Sequence, residues 1–448
     1  MRARVLAACL ALLAAEPASA GLRPRYGGNV SAALPQARPS LDPARAASVA
    51  ELFLASLVHQ APLARDADGT LAPVLLAGPP RSADDGRTFV LELREGLRFH
   101  DGRPLRAADL AASLERLRDG PWAALLLPVR ALAVRSETRV DVQLAFAYPR
   151  WPEALAERAA GVLPAAFAGA VPPGAGPFRI AGAEGSAMRL EPFAGHAAGR
   201  PFLDGVRLLL QPDRRSAARL AATSTAALGP ARSQEAGGAT WIFVAPDLAT
   251  ALEGPVAAAI DRADLVRYFV PGAATALDRL LPAPHAAPRF AAPGPRGSTP
   301  AALTLLFDPA VEGHRQVAER VQLRLHDRGV QVRLEEIDGA ALRTRTRAAR
   351  YELALVQLPL PADPGLAAAA LLHASGRAQE ARRLLEQVGA AGAALDAAER
   401  ATGRALGGTR GIVPLYAVTD AIVPGPGAKR LRDAADLADA WLLPEGAQ

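Results

Sequence analysis

The chain has 448 residues, half of them hydrophobic and 21% charged, so it is long enough for two or three domains and resembles an ordinary globular protein in composition. Its formal net charge is +6, and its arginines are interleaved with acidic residues. Aromatic residues make up only 5%, which argues against nucleic-acid binding, because single strands bind to basic grooves that carry stacking aromatics. Cys9 is the only cysteine, so neither a disulfide framework nor a thiol nucleophile is expected.

The first twenty residues have the pattern of a secretory signal peptide. Arg2 and Arg4 form a positive region, Val5 to Ala15 form an apolar run, and Ala18-Ser19-Ala20 is a small-residue cleavage site. The run is shorter than the roughly 20 residues that a spanning helix needs. We expect cleavage after Ala20 and export to the periplasm. The alternative is a lipid-anchored form acylated at Cys9, although few apolar residues precede that cysteine.

Alternating and helical patterns then follow one another along the chain. A short strand is predicted after Gly28, and a helix is predicted after the Asp42-Pro43 pair. Further strands are predicted at 87–94, 139–146, 203–211, 239–246, 302–308, 330–337, 351–360 and 411–416. Helices are predicted after Pro104, before Gly329 and over much of 366–408, and this spacing is typical of α/β layers. The stretch 282–300 holds six prolines and is not expected to form regular structure.

Two short stretches raise the question of chemistry. His100 and Asp101 could serve as an acid–base pair or as metal ligands, but we favour a scaffold role in which His100 ends a strand and Asp101 begins a turn. The other histidines are isolated, and the chain has no G-x-S-x-G, H-E-x-x-H, Walker or dinucleotide pattern. We therefore predict neither an enzyme nor a metal or cofactor site. The run "RTRTRAAR" (343–350) is predicted to form a solvated helix face.

Several segments resemble, in order, the family 5 extracellular solute-binding proteins of ABC importers, the dipeptide, oligopeptide and nickel class. The most characteristic is "LREGLRFHDGRPLRAADLAASLERL", and the others follow it in the order of that family. These are "PPGAGPFRI", "FAGHAAGRPFLDGV", "AAAIDRADLV", "ERVQLRLHDRGVQVRLEEID" and "DLADAWLLP". The resemblance covers essentially the whole chain after the signal sequence.

The resemblance implies an α/β fold with two lobes, the type II, cluster C-like periplasmic-binding-protein fold, plus an extra small domain. It places lobe I at 21–60, 170–250 and 410–448, the extra domain on lobe I at 61–169, and lobe II at 251–409. The implied function is the capture of a peptide-like or other small solute between the lobes. The implied partners are that solute and the ABC permease subunits at the inner membrane, and a monomer is expected. The alternative is a ligand sensor or interaction module that is not coupled to import.

The resemblance also directs attention to the ends of two predicted strands in lobe II. Candidate ligand-binding residues are Phe307, Asp308, Gln357, Leu360 and Asp363. Peptide-binding members carry an aspartate where this chain has Leu360, and dipeptide-binding members carry an arginine near the position of Asp308. A buried ligand charge without a partner costs several kcal/mol. We therefore predict a ligand other than a zwitterionic dipeptide, and a cationic one if Asp308 faces the cleft.

Overall fold

The computed structural model describes residues 24–66, 68–82, 84–167, 171–223, 228–232, 237–270, 274–285, 287–291, 302–424, 431–432, 437 and 440–442. The predicted signal sequence, residues 1–20, lies outside the described residues, as do residues 286 and 292–300 of the proline-rich stretch. Within those ranges, no helix combines the length and the apolar character needed to cross a membrane.

The predicted alternation of helices and strands is present. The described helices are α1 (Val49–Val58), α2 (Ala107–Arg116), α3 (Arg214–Ala222), α4 (Ala249–Ala259), α5 (Arg262–Phe269), α6 (His314–His326), α7 (Gly339–Arg347), α8 (Pro364–Ala374), α9 (Ala378–Ala390) and α10 (Leu395–Leu406). The described strands are β1 (Asn29–Leu34), β2 (Leu63–Arg65), β3 (Leu71–Pro73), β4 (Arg81–Ser82), β5 (Thr88–Glu92), β6 (Val129–Val134), β7 (Arg139–Leu144), β8 (Phe178–Glu184), β9 (Ala187–Pro192), β10 (Gly205–Leu210), β11 (Leu228–Arg232), β12 (Gly238–Val244), β13 (Ala274–Ala276), β14 (Ala302–Phe307), β15 (Gln331–Glu336), β16 (Leu353–Pro359), β17 (Ile412–Val418), β18 (Asp420–Pro424), β19 (Leu431–Arg432) and β20 (Trp441–Leu442).

Two six-stranded sheets form the bases of the two lobes. The first sheet has the order β18-β11-β1-β10-β9-β8, and the second has the order β13-β17-β12-β16-β14-β15. In the second sheet, β14 lies between β15 and β16 and runs parallel to both. Parallel strands are buried on both faces, which explains why the sequences of β14 and β16 read as nearly continuous apolar runs.

Among the described residues, the chain crosses between the two sheets at two neighbouring places. It leaves the first sheet after β11 and begins the second with β12, and it returns from β17 to β18 across the single residue Thr419. The pairs β11–β18 and β12–β17 are both antiparallel, so the two crossings lie side by side. The polypeptide therefore links the sheets through two adjacent segments.

The strand pairing changes the predicted lobe boundaries at 250 and 410. Those boundaries put β12 and β17 in lobe I, but β12 hydrogen-bonds between β16 and β17 in the second sheet. Every residue of β12 is buried, as expected for a central strand. Its apolar run predicted a buried strand correctly, but such a run fits a central position in either sheet, so periodicity alone could not assign it.

The predicted extra domain, called the insert here (the described residues within 61–169), has a sheet of its own. The strand order is β4-β5-β7-β6. The predicted alternation holds in β5, where Phe89 and Leu91 are buried, and Leu110 and Leu114 of α2 belong to the same buried cluster. The insert thus forms a small α/β layer, with the segment containing His100 between β5 and α2.

The insert contacts both larger parts of the molecule. Trp122 Nε1 donates a 2.7 Å hydrogen bond to the carbonyl of Ala46, which lies in the segment before α1. On its other side, the 3-10 turn Ala123–Leu126 packs against α8, which is buried along nearly its whole length. The sequence predicted an insert carried by lobe I, whereas the structure also packs it on the helices that follow the second sheet.

Candidate functional site

Two of the predicted site residues follow adjacent parallel strands. Asp308 follows β14 and Leu360 follows β16, so both lie at the carboxyl end of the second sheet. Ligands of open α/β sheets commonly bind outside this end. Asp308 is half-buried, and its Oδ1 accepts a 2.9 Å hydrogen bond from the backbone N–H of Ala310. Leu360 is buried and apolar, so it offers no charge to a ligand.

Two other predicted residues are engaged inside the second sheet. Phe307 is 0% exposed and belongs to the core formed with α6, so its side chain does not line a solvent-accessible site. Gln357 is half-buried, and its Oε1 accepts a 3.3 Å hydrogen bond from the hydroxyl of Thr240 on β12. The pleat explains Phe307, because consecutive side chains of a strand point to opposite faces and both faces of this strand are covered.

The fifth predicted residue, Asp363, joins the second sheet's helices to the insert. Its carboxylate accepts hydrogen bonds from the Tyr148 hydroxyl, from Arg150 Nε at 2.7 Å and from the Leu366 N–H at 2.9 Å. Burial raises the pKa of Tyr148, and the adjacent Asp363 carboxylate raises it further. Asp363 is 1% exposed. It therefore caps α8 and holds the insert in place, and its oxygens are already bonded within the protein.

Beside Asp308, the structure places an arginine that the sequence did not single out. A Cβ on Gly339 would lie 2.6 Å from Oδ2 of Asp308 and 3.4 Å from Nη1 of Arg343, so glycine leaves room for both side chains. Arg343 lies on α7, one turn beyond Gly339. Burial lowers the pKa of Arg343, and the nearby Asp308 carboxylate opposes that shift.

One turn further along α7, Arg347 reaches across to the insert. Its Nη2 donates a 2.6 Å hydrogen bond to the carbonyl of Gly120. Burial lowers the pKa of Arg347, and the neighbouring Arg343 lowers it further. His373 on α8 is close enough for the charge of Arg347 to act on it, and burial together with that charge lowers its pKa to about 4. We call Arg343, Arg347 and His373 the arginine cluster.

The prediction of a solvated face for "RTRTRAAR" is right for half of its arginines. Arg345 and Arg350 are exposed, whereas Arg343 and Arg347 are only half-exposed. The spacing of the sequence indicates the buried face of α7, because Leu342 and Thr346 lie four residues apart and are both buried. Arg343 and Arg347 directly follow them, so they lie at the edge of the buried face of α7.

The predicted scaffold role fits the contacts of His100. Its Nε2 donates a 3.0 Å hydrogen bond to the carbonyl of Gly176, and its ring packs edge-on against Phe193. Burial lowers the pKa of His100, which favours the neutral ring. A groove of about 430 Å³ runs past His100 and Asp101 and is also lined by Arg179. The described residues contain no group of three or more His, Cys, Asp or Glu side chains that could hold a metal ion.

Comparison with known sequences finds similarity over parts of the chain. Residues 70–234 match the model of the bacterial extracellular solute-binding proteins, family 5 middle. The chain is 54% identical to protein XP55 of Streptomyces lividans over 48 residues, which are 11% of this chain and 9% of that protein. It is 32% identical to the uncharacterized protein YhjP of Bacillus subtilis over 120 residues, 26% of this chain and 21% of that protein. The alignments thus span about a tenth and a fifth of these relatives.

Solved structures match over nearly the whole chain. The binding protein AgaA of A. tumefaciens R10, in complex with agropinic acid, has a TM-score of 0.73 at 17% identity and covers 93% of this chain and 99% of its own. DppA of Helicobacter pylori, in complex with the peptide STSA, has a TM-score of 0.71 at 15% identity, with coverages of 93% and 98%. The oligopeptide-binding protein AppA of Bacillus subtilis, in complex with a nonapeptide, has a TM-score of 0.69 at 16% identity, with coverages of 94% and 100%.

The fold is that of the matched binding proteins, and the middle segment is similar to the bacterial extracellular solute-binding proteins of family 5. The family 5 model matches residues 70–234, a segment that includes the first motifs on which the predicted resemblance rests. The three matched structures are described as those of binding proteins. The two-lobed α/β fold with an insert is confirmed.

Proposed function

We propose that the protein is the exported solute-binding subunit of an ABC importer. It captures a peptide-like or other small solute between its two lobes and delivers that solute to permease subunits at the inner membrane. The observation that carries the proposal is the double crossing between the sheets, after β11 and after β17, in a chain whose middle segment matches the family 5 model. Two adjacent crossings let the lobes rotate while every strand stays paired in its own sheet.

A hinge of this kind converts binding into a shape change. A solute that contacts both lobes makes its full set of contacts only when they are closed, so it shifts the open–closed equilibrium by that difference in affinity. A permease can then distinguish loaded from empty protein by the closed shape. Export to the periplasm by a cleaved signal peptide is supported by the positive residues and apolar run at the N-terminus. The description of the matching family model as extracellular also supports it.

The solute is a separate question from the fold. The matched binding proteins are described with ligands as different as agropinic acid and a nonapeptide, so the fold alone does not select one. At the positions of the family's peptide anchors this chain has Leu360 and no arginine from 303 to 313. We therefore propose that a free zwitterionic dipeptide is not its solute.

The test is a closure experiment on the full-length exported protein. Native mass spectrometry identifies the small molecule that co-purifies, and small-angle X-ray scattering compares the protein with and without it. We expect a smaller radius of gyration and a higher melting temperature in the bound protein, with no change on adding the dipeptide Ala-Ala. Identical scattering curves and melting temperatures across all added solutes would argue against a binding subunit.

A further inference from the structure

Arg343, Arg347 and His373 lie where the helices of the second sheet meet the insert. Arg347 Nη2 bonds to the carbonyl of Gly120, and Gly120 itself lies against the segment before α1, since a Cβ there would be 2.3 Å from the carbonyl oxygen of Ala44. The arginine cluster therefore adjoins all three parts of the molecule. A solute bound here would lie near α7, the insert and the segment before α1.

The cluster holds buried polar atoms that have no hydrogen-bond partner within the protein. Nε of Arg343, Nε of Arg347 and Nδ1 of His373 are buried without a hydrogen-bond partner. On the same helix, Arg345 forms a 2.7 Å ion pair with Glu335, but among the described residues no such pair within 4.0 Å joins Arg343 or Arg347 to a carboxylate. Buried polar groups are almost always paired, so each unpaired group calls for a reason.

The carboxylates that act on the cluster form no direct ion pair with its arginines. Asp308 and Asp338 favour the charged form of Arg343, and Asp119 favours that of Arg347, while Arg45 acts in the opposite sense on Arg343. Asp119 is exposed, so solvent weakens its effect, and Asp308 already accepts a hydrogen bond from Ala310. Of the three carboxylates, Asp338 is also exposed, so Asp308 is the one that is half-buried. No direct ion pair with it or the others is formed by the two half-buried guanidinium groups.

We propose that the arginine cluster binds an oxyanion group of the solute, a carboxylate or a phosphate. The planar guanidinium fork matches the two oxygens of either group and binds them in a bidentate manner. This inference rests on the proposed function, because it specifies the solute class of the same interlobe site. This proposal replaces the prediction of a cationic solute. That prediction depended on Asp308 facing the cleft, but Arg343 lies beside the Asp308 carboxylate.

Binding in this place also explains how an acidic solute would close the protein. The oxyanion compensates Arg343 and Arg347 on α7, while Arg347 remains tied to the insert through Gly120. The oxyanion compensates the half-buried charges of the two arginines only when closure of the lobes covers the cluster. The affinity gained on closing is therefore largest for a solute that carries a negative group.

The experiment compares three arginines of one helical run. Arg343→Gln and Arg347→Gln each remove one cationic group of the cluster, and Arg350→Gln is the matched control because Arg350 is exposed at the end of the same run. Succinate and inorganic phosphate are the anionic probes, and succinamide is the neutral counterpart of succinate. Isothermal titration calorimetry and melting temperatures are measured on each full-length protein, with circular dichroism to verify folding.

We expect at least one anionic probe to bind the unsubstituted protein and succinamide not to bind. Arg343→Gln and Arg347→Gln should each weaken that binding by at least about tenfold, and Arg350→Gln by less than about twofold. Binding of the anionic probe to the unsubstituted protein should also weaken as the salt concentration is raised. This measurement needs no variant, so it remains possible if a variant is too unstable to measure. The two anionic probes distinguish a carboxylate from a phosphate as the recognised group.

Failure of this inference is distinguishable from failure of the proposed function. If the co-purifying solute is neutral or cationic, or if anion binding is unchanged in both cluster variants, the oxyanion assignment is wrong while closure on that solute still supports a binding subunit. If no solute of any charge binds or changes the scattering, both proposals are wrong.

Discussion

At the scale of single residues, buried titratable groups make the fold sensitive to pH. His314 begins α6, is fully buried, and has no hydrogen-bond partner on either ring nitrogen. Burial lowers its pKa from 6.5 to about 3. The native state therefore keeps this ring neutral over a pH range in which the unfolded chain binds a proton to it, so the free energy of unfolding falls with acid between pH 6.5 and pH 3.

The change that tests this is His314→Leu, which removes the titrating group but keeps an apolar side chain. Going from pH 7.5 to pH 5, we expect the unsubstituted protein to lose about 2 kcal/mol more unfolding free energy than His314→Leu does. Urea denaturation at both pH values measures the free energy of unfolding of each protein. His326→Leu is the control, because His326 is exposed at the other end of α6, and it should keep the acid sensitivity. Equal acid sensitivity in all three proteins would contradict the assignment.

At the scale of elements, close backbone contacts dock the insert on the helices of the second lobe. A Cβ on Gly389 of α9 would lie 1.9 Å from the carbonyl oxygen of Ala147, so this helix approaches the insert as closely as only glycine allows. Tyr148, the next residue, donates its hydroxyl hydrogen to Asp363 at the start of α8. Two helices of the second lobe are thus held by one short segment of the insert.

The corresponding prediction concerns Gly389→Ala. Because the added methyl group meets backbone and not a flexible side chain, α9 must move away from the insert, and we expect a loss of about 1 to 3 kcal/mol in unfolding free energy. Gly408→Ala is the control, since a Cβ there meets nothing within 4 Å, and it should change stability by less than about 0.5 kcal/mol. Chemical denaturation measures both, and equal effects would show that the close contact does not matter.

At the scale of the whole molecule, the buried side chains group differently from the predicted domains. One continuous cluster includes Leu125 and Trp151 of the insert together with Leu366 and Leu371 of α8. The first sheet has a cluster of its own, which contains Leu208. We therefore expect the insert and the second lobe's helices to share stability, with the first sheet less strongly coupled to them.

Hydrogen exchange followed by mass spectrometry tests this coupling. Leu125 is 0% exposed, and Leu125→Ala should cost about 2 to 5 kcal/mol. We expect faster exchange both in the insert and in α8, whose amides lie more than 200 residues away along the chain. Leu208→Ala, at an equally buried site of the first sheet, should leave α8 protected. If Leu208→Ala speeds amide exchange in α8 and Leu125→Ala does not, then α8 is coupled to the first sheet and not to the insert.

The sequence by itself determined many of the elements and the class of fold. Period-two alternation at Phe89 and Leu91, and the spacing of Leu110 and Leu114, are local properties of the chain, so they correctly predicted the strand and helix of the insert. Ordered motifs predicted the two-lobed fold, which the matched structures confirm. The missing peptide anchor at Leu360 stays a prediction.

Only the tertiary structure decided the partners of the buried strands and charges. β12 and β17 could have joined either sheet, and their placement depends on hydrogen bonds to strands far away in the chain. The roles of Asp363 and of Arg343 and Arg347 depend in the same way on contacts with Tyr148, Arg150 and Gly120. Burial and the distance to an opposite charge set the energy of an ionised group, and neither can be obtained from periodicity along the sequence.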